Sequence, residues 1–173
     1  MKALPVRLEK KLDELLVVLD KDIQHMQKSM SRLNELRGLV IKRDDASLGK
    51  LLGAIQKESG DYRENESNRQ SIRKELAMAL GCGIEEMTLS KLEAMTPECK
   101  RAEVGRRKTE LKSLSQTLRK EYLVTAKLLS ECARFNNKLL TSILDLGRTG
   151  TVTYDSDGSA ERPAGATFMS MQL

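Results

Sequence analysis

Between Pro97 and Gly147 apolar residues recur at helical spacing for about fifty residues. At about 1.5 Å per residue such a helix is about 75 Å long, more than twice the width of a small compact domain. A rod of that length buries its apolar stripe only against other long helices or a bound partner. The stripe reads Val104, Leu111, Leu114, Leu118, Tyr122, Thr125, Leu128, Cys132, Phe135, Leu139, Ile143 and Leu146. Leu123, Leu129, Leu140 and Leu144 widen it near its end, so that it can touch two neighbours, or one neighbour and a guest.

Two further helical patterns precede it. From Leu8 the apolar residues fall at Leu12, Leu15, Leu19, Ile23, Met26, Met30, Leu33, Leu36 and Val40, in steps of three or four. Pro5 suits a first turn, and Gly38 weakens the end. Asp44 or Asp45 can cap a second helix with the stripe Leu48, Leu52, Ile55, Tyr62, Ile72, Leu76 and Leu80. Its centre, residues 59–70, is polar and contains Gly60, so it either projects or is interrupted; continuity is the preferred reading. Gly81-Cys82-Gly83 stops this helix. Thr88 caps a short helix over about 88–95, and Thr96-Pro97-Glu98 restarts the chain with an N-cap, a proline at the first helical position and an acid near the positive helix end.

The expected fold is therefore all-α: an elongated antiparallel bundle or coiled coil of three long helices, about 5–40, 45–80 and 97–146, with a short connector helix. Residues 1–147 form the bundle and 148–173 a flexible tail, in which Val152-Thr153-Tyr154 followed by Asp155-Ser156-Asp157-Gly158 can make a short extended piece and turn.

Composition agrees with solvated rods. The 173 residues are 39% hydrophobic and 32% charged, against about 45–50% and about 25% in globular domains. Without Trp, and with five aromatics, the packing falls to Leu, Ile, Val and Met. The net charge of +5 is uneven: an acidic middle segment lies between two basic ones, which favours antiparallel packing.

Chemistry-bearing patterns are sparse. His25 is the only histidine and has no Cys or second His beside it to suggest a metal or general base. Cys82, Cys99 and Cys132 are odd in number and widely spaced, which indicates neither a disulfide framework nor a zinc knuckle; reduced thiols and a cytoplasmic location are expected. No stretch approaches the roughly 18 apolar residues of a membrane span. There is no phosphate-binding Gly-x-x-x-x-Gly-Lys loop, no Gly-x-Ser-x-Gly elbow and no His-Glu-x-x-His pair, so neither an enzyme nor a cofactor is expected. Lys100, Arg101, Arg106, Arg107, Lys108 and Lys112 form the densest basic run, but interleaved Glu98, Glu103 and Glu110 and the lack of aromatics argue against nucleic acid and for a solvated face, the other functional reading being an acidic protein partner.

The broad apolar end, centred on Phe135, Leu139, Leu140, Ile143 and Leu146, is either bundle core or a groove for another helix, since helix-in-groove recognition uses the same i, i+3, i+4, i+7 anchors. Here Asn136-Asn137-Lys138-Leu139-Leu140 at the end of a long helix is followed by Tyr154-Asp155-Ser156-Asp157-Gly158. In that order, on a small all-helical chain, these segments resemble the FlgN family of flagellar type III export chaperones.

The resemblance implies a non-catalytic cytoplasmic chaperone that holds hook-filament junction proteins, of the FlgK and FlgL type, by their C-terminal helical segments. It further implies delivery to the flagellar export apparatus, including the cytoplasmic domain of the export gate. Phe135, Leu139, Leu140 and Ile143 would then be the helix anchors and Tyr154 a further contact. The polar centre of the second helix and the apolar ending from Phe168 to Leu173 depart from the family pattern, and the ending could lie in the cargo groove of its own molecule. The alternatives are a coiled-coil adaptor or homodimer built from the same stripes, and a nucleic-acid binder using residues 100–112.

Overall fold

The computed structural model describes residues 6–148, 153–154 and 160–161, with side chains described for 8–98 and 100–145. The chain is all-α in four helices: α1 (Val6–Lys42), α2 (Asp45–Ala79), the short α3 (Leu89–Met95) and α4 (Glu98–Arg148). Two-residue strands, β1 (Thr153–Tyr154) and β2 (Ala160–Glu161), form an antiparallel ribbon in which Thr153 faces Glu161 and Tyr154 faces Ala160. The extended piece expected at Thr153-Tyr154 is β1; apart from Arg148 and β2, the rest of the tail expected to be flexible lies outside the described residues. The chain divides into two compact units, Met1–Ala126 and Lys127–Leu173, with the division inside α4.

In the first unit α1 and α2 pack closely enough for their Cα atoms to approach within 8 Å. Their polar pairs, Lys11 with Glu75, Asp22 with Arg69 and Lys28 with Glu58, run in opposite directions along the two helices, so the pair is antiparallel. The core is aliphatic: Leu8, Leu12, Leu15, Leu16 and Leu19 of α1 meet Ile72 and Leu76 of α2, Met87 and Leu92 of the connector, and Val104 of α4. Val104 is 0% exposed and Leu76 2%. Truncating a leucine so enclosed costs about 2–5 kcal/mol. The first part of α4 runs parallel to α1, since Lys100 pairs with Asp13, Arg107 with Asp20 and Glu121 with Arg37. The result is the expected up-down-up arrangement of three long helices.

The second helix is continuous, and its polar centre has a cause. Asn65 is buried and its amide donates to the Asp22 carboxylate at 2.6 Å and to the Val18 carbonyl at 3.3 Å. One end of that seam is completed by Arg69 on Asp22, at 2.5 Å. Glu58 accepts from Lys28 and Arg32, each at 3.0 Å, at the other. Along this seam the buried polar groups pair with the neighbouring helix, Asn65 Oδ1 and Arg32 Nε excepted, so the stretch does not have to leave the bundle.

Local details correct several expectations. Leu51 is buried whereas Leu52, assigned to the stripe, is exposed, and Tyr122 on α4 is exposed while Thr125 is buried. The buried face thus drifts around each helix relative to a strict three-four count. α1 does not weaken at Gly38; it runs to Lys42, and the exit is made by Arg43 at φ 55°. The Asp44 amide then donates to the Leu39 carbonyl, and the Asp44 carboxylate accepts from the Ser47 amide at 3.0 Å to begin α2. The matching exit of α2 does use glycine: Gly81 has φ 64°, and the Cys82 amide reaches back to the Ala77 carbonyl.

Thr88 caps α3 by accepting from the Lys91 amide at 3.2 Å. Thr96, expected to cap α4, donates its hydroxyl instead to the Leu92 carbonyl at 2.6 Å, and the Pro97 carbonyl accepts the first bonds of α4. At Gly105 a Cβ would lie 2.7 Å from Oε1 of Glu93, so a side chain there would push the Glu93 carboxylate aside.

Candidate functional site

The later part of α4, in the second unit, carries the sequence-expected anchors. Phe135 is 53% exposed and Ile143 63%, and Leu129, Leu139, Leu140 and Leu144 are exposed with them. Of the remaining expected contacts, the Leu146 side chain lies outside the described residues, Tyr154 is described by its backbone in β1, and Phe168 lies outside the described residues altogether.

At about 100° of rotation per residue, Phe135, Leu139 and Ile143 form one edge of a face that continues through Leu129 and Leu140 to Leu144. This apolar face takes up about half of the helix circumference. Lys127, Glu131, Arg134, Lys138, Thr141, Ser142 and Asp145 occupy the other half. That polar half is satisfied locally: Glu131 pairs with Arg134, the Thr141 hydroxyl donates to the Asn137 carbonyl at 3.0 Å, and Ser142 donates to the Lys138 carbonyl at 2.9 Å. Arg134 and neighbouring cations hold the Glu131 carboxyl below its usual range, chiefly through the Arg134 hydrogen bond. Asn136 is exposed on the apolar half, between the Phe135 edge and Leu140.

An amphipathic helix gains by burying such a face. Each half-exposed Leu, Ile or Phe contributes roughly 1 kcal/mol when covered. The width matches contact with a helix or a pair of helices. Periodicity located these residues but could not say whether they are covered, because core and docking faces use the same side chains.

The other expected chemistry is placed elsewhere. His25 packs against Tyr62 of α2, rings edge to face with centroids 4.5 Å apart. Three members of the basic run are engaged in the first unit: Lys100 with Asp13, Arg107 with Asp20 and Lys108 with Glu93. Half of that run therefore ties α4 to α1 and α3, where the sequence reading expected a solvated face. Cys82 and Cys132 are free thiols. Among the described residues no cluster of His, Cys, Asp and Glu is arranged to hold a metal, and no helix is long and apolar enough to cross a membrane.

No protein-family model matches the sequence, and no curated protein or solved structure matches it either.

Proposed function

We propose that this chain is a non-catalytic export chaperone of the FlgN type. It holds the C-terminal helical segment of a hook-filament junction protein, FlgK-like or FlgL-like, on the face of α4 that includes Phe135, Leu139, Leu140 and Ile143. In this reading the protein works in the cytoplasm, keeps the segment from assembling early and passes it to the export apparatus through the cytoplasmic domain of the export gate. The observation that carries the reading is the exposure of this half-apolar helix, together with the order of the 136–140 and 154–158 segments.

The physics suits temporary capture. A cargo segment destined for coiled-coil seams carries an apolar stripe that needs a cover in water. Five or six half-exposed side chains supply several kcal/mol on burial, most of which is offset by the cost of association and of ordering the guest. The balance gives a complex that can let go. Asn136 on the apolar half supplies a polar contact that favours one register of the guest helix over its neighbours.

Measuring mass in solution with and without a junction-protein C-terminal peptide tests the proposal. A mixed complex of defined stoichiometry supports it. A mass that reports only copies of this chain, unchanged by peptide, favours the coiled-coil homo-oligomer instead.

A further inference from the structure

A second apolar trough lies wholly within the first unit. It has a volume of about 470 Å³; Leu15 and Leu19 of α1 form its floor, with Leu76 of α2 and Leu111 of α4 at its sides. Met87, just before α3, and Leu92 of α3 close one side. Along α1 it extends from Leu15 to Met26, about 16 Å or three helical turns. Side chains of α1, α2 and α4 all line the trough, with α2 packed on α1 and α4 tied to α1 through Arg107 and Asp20.

Its rims are basic. Arg69 and Arg73 stand one turn apart on α2, and Lys108 and Lys112 stand one turn apart on α4. Among the described residues no carboxylate lines the trough. Arg69 and Lys108 share their charge with Asp22, Glu66 and Glu93. Arg73 is held by two neutral oxygens, the Met87 carbonyl at 2.9 Å and the Ile84 carbonyl at 2.8 Å, which fix its direction without cancelling its charge. Lys112 is exposed and makes no ion pair among the described residues.

From this geometry we infer a second binding site: the trough takes an acidic amphipathic helix of a partner protein, about three turns long, with an apolar stripe and Asp or Glu on both flanks. Three parallel or antiparallel helices with an open trough between them leave the place of a fourth, at the usual separation of 8–10 Å. The cations stand as i, i+4 pairs on opposite rims, so they match a rod charged on both sides. A single-headed anionic amphiphile such as a fatty acid would engage one rim and leave the other unmatched. The inference does not depend on the chaperone reading, because it uses none of the residues between 129 and 144.

The test uses the full chain and a fluorescein-labelled synthetic helix of about three to four turns, with Leu along one face and Glu on both flanks. A twin peptide with Lys flanks and, separately, dodecanoate serve as comparison probes. The Glu-flanked helix is expected to bind at least about tenfold more tightly than its Lys-flanked twin, and less tightly as salt rises. Lys112→Glu weakens it by about tenfold, and Ser115→Trp, which fills the trough from an exposed position on α4, abolishes it. Circular dichroism of both variants should match the parent, and Ile143→Glu should leave this binding unchanged. Equal binding of the two peptides overturns the inference. So does Glu-flanked binding that survives both trough variants, and so does binding of dodecanoate without the Glu-flanked helix.

Discussion

Arg107 of α4 grips Asp20 of α1 with two parallel hydrogen bonds, Nε to Oδ1 at 2.7 Å and Nη2 to Oδ2 at 2.8 Å. The guanidinium is nearly enclosed, its side chain 10% exposed, while Asp20 remains 46% exposed. Such a fork fixes both the distance and the rotation of one helix against another. Asp20→Ala leaves the cation in its enclosed place with only two longer contacts to Glu103, its carboxylate and its carbonyl, each at 3.4 Å. The expected loss is about 1–2 kcal/mol, less than for a fully buried pair because water reaches the carboxylate side. A lower urea midpoint at unchanged slope measures it.

The same pair sets an acid dependence. The Arg107 hydrogen bond holds the Asp20 carboxyl below its ordinary range, assisted by the charges of Arg107 and Arg106 and opposed by partial burial. A carboxyl that binds its proton less readily in the folded chain stabilises the fold above its unfolded pKa, about 4, and loses that contribution as pH falls through its folded value. The Ser47 amide acts on Asp44 in the same direction, as do Lys28 and Arg32 on Glu58. Unfolding free energy should therefore fall between about pH 5 and pH 2, and Asp20→Asn should flatten part of that fall. Denaturant titrations at a series of pH values measure both slopes.

Arg43 sits at φ 55°, where a side chain is crowded against its own backbone. Arg43→Gly keeps the turn and removes the crowding, so stability should rise by about 0.5–1 kcal/mol after the extra freedom of the unfolded glycine is subtracted. Thermal unfolding at fixed pH reads the gain. A loss would mean that the Arg43 side chain contributes more than its conformation costs.

Asn136 interrupts an otherwise apolar half of α4. Asn136→Leu should tighten binding of a junction-protein helix by several-fold and let it bind in more than one register, because a polar group on a seam trades affinity for alignment. Isothermal titration gives the first effect. Cysteine cross-linking at successive positions of the guest peptide gives the second, as a spread of linked positions where the parent chain gives one.

Much of the fold could be read from residues within a few positions of each other. The Leu8-to-Ile23 stripe, Asp44 and Thr88 as caps, and Gly81 as a stop are local signals, and each sits where its own chemistry places it. What eluded the sequence was non-local. That Asn65 meets Asp22, or that Arg107 belongs to Asp20 instead of to a solvated run, depends on the register between helices far apart in the chain. Leu51 in place of Leu52 reflects the same limit, since the buried face follows the neighbouring helix and an ideal count does not include it. At the candidate site the anchors Phe135, Leu139, Leu140 and Ile143 were legible as an apolar stripe, but exposure is a property of what surrounds them. Of the trough rimmed by Arg73 and Lys112, only the Lys108 and Lys112 rim was legible, as part of the basic run, because its sides come from separate helices.

The most direct test of the account titrates a labelled junction-protein C-terminal helix into the full chain and into the double variant Leu140→Glu with Ile143→Glu. Both substitutions are at exposed positions, so the helical content should stay the same. The account predicts saturable binding to the parent chain and a loss of at least about a hundredfold in the variant. Equal binding to the two, or no binding to the parent chain, would contradict it.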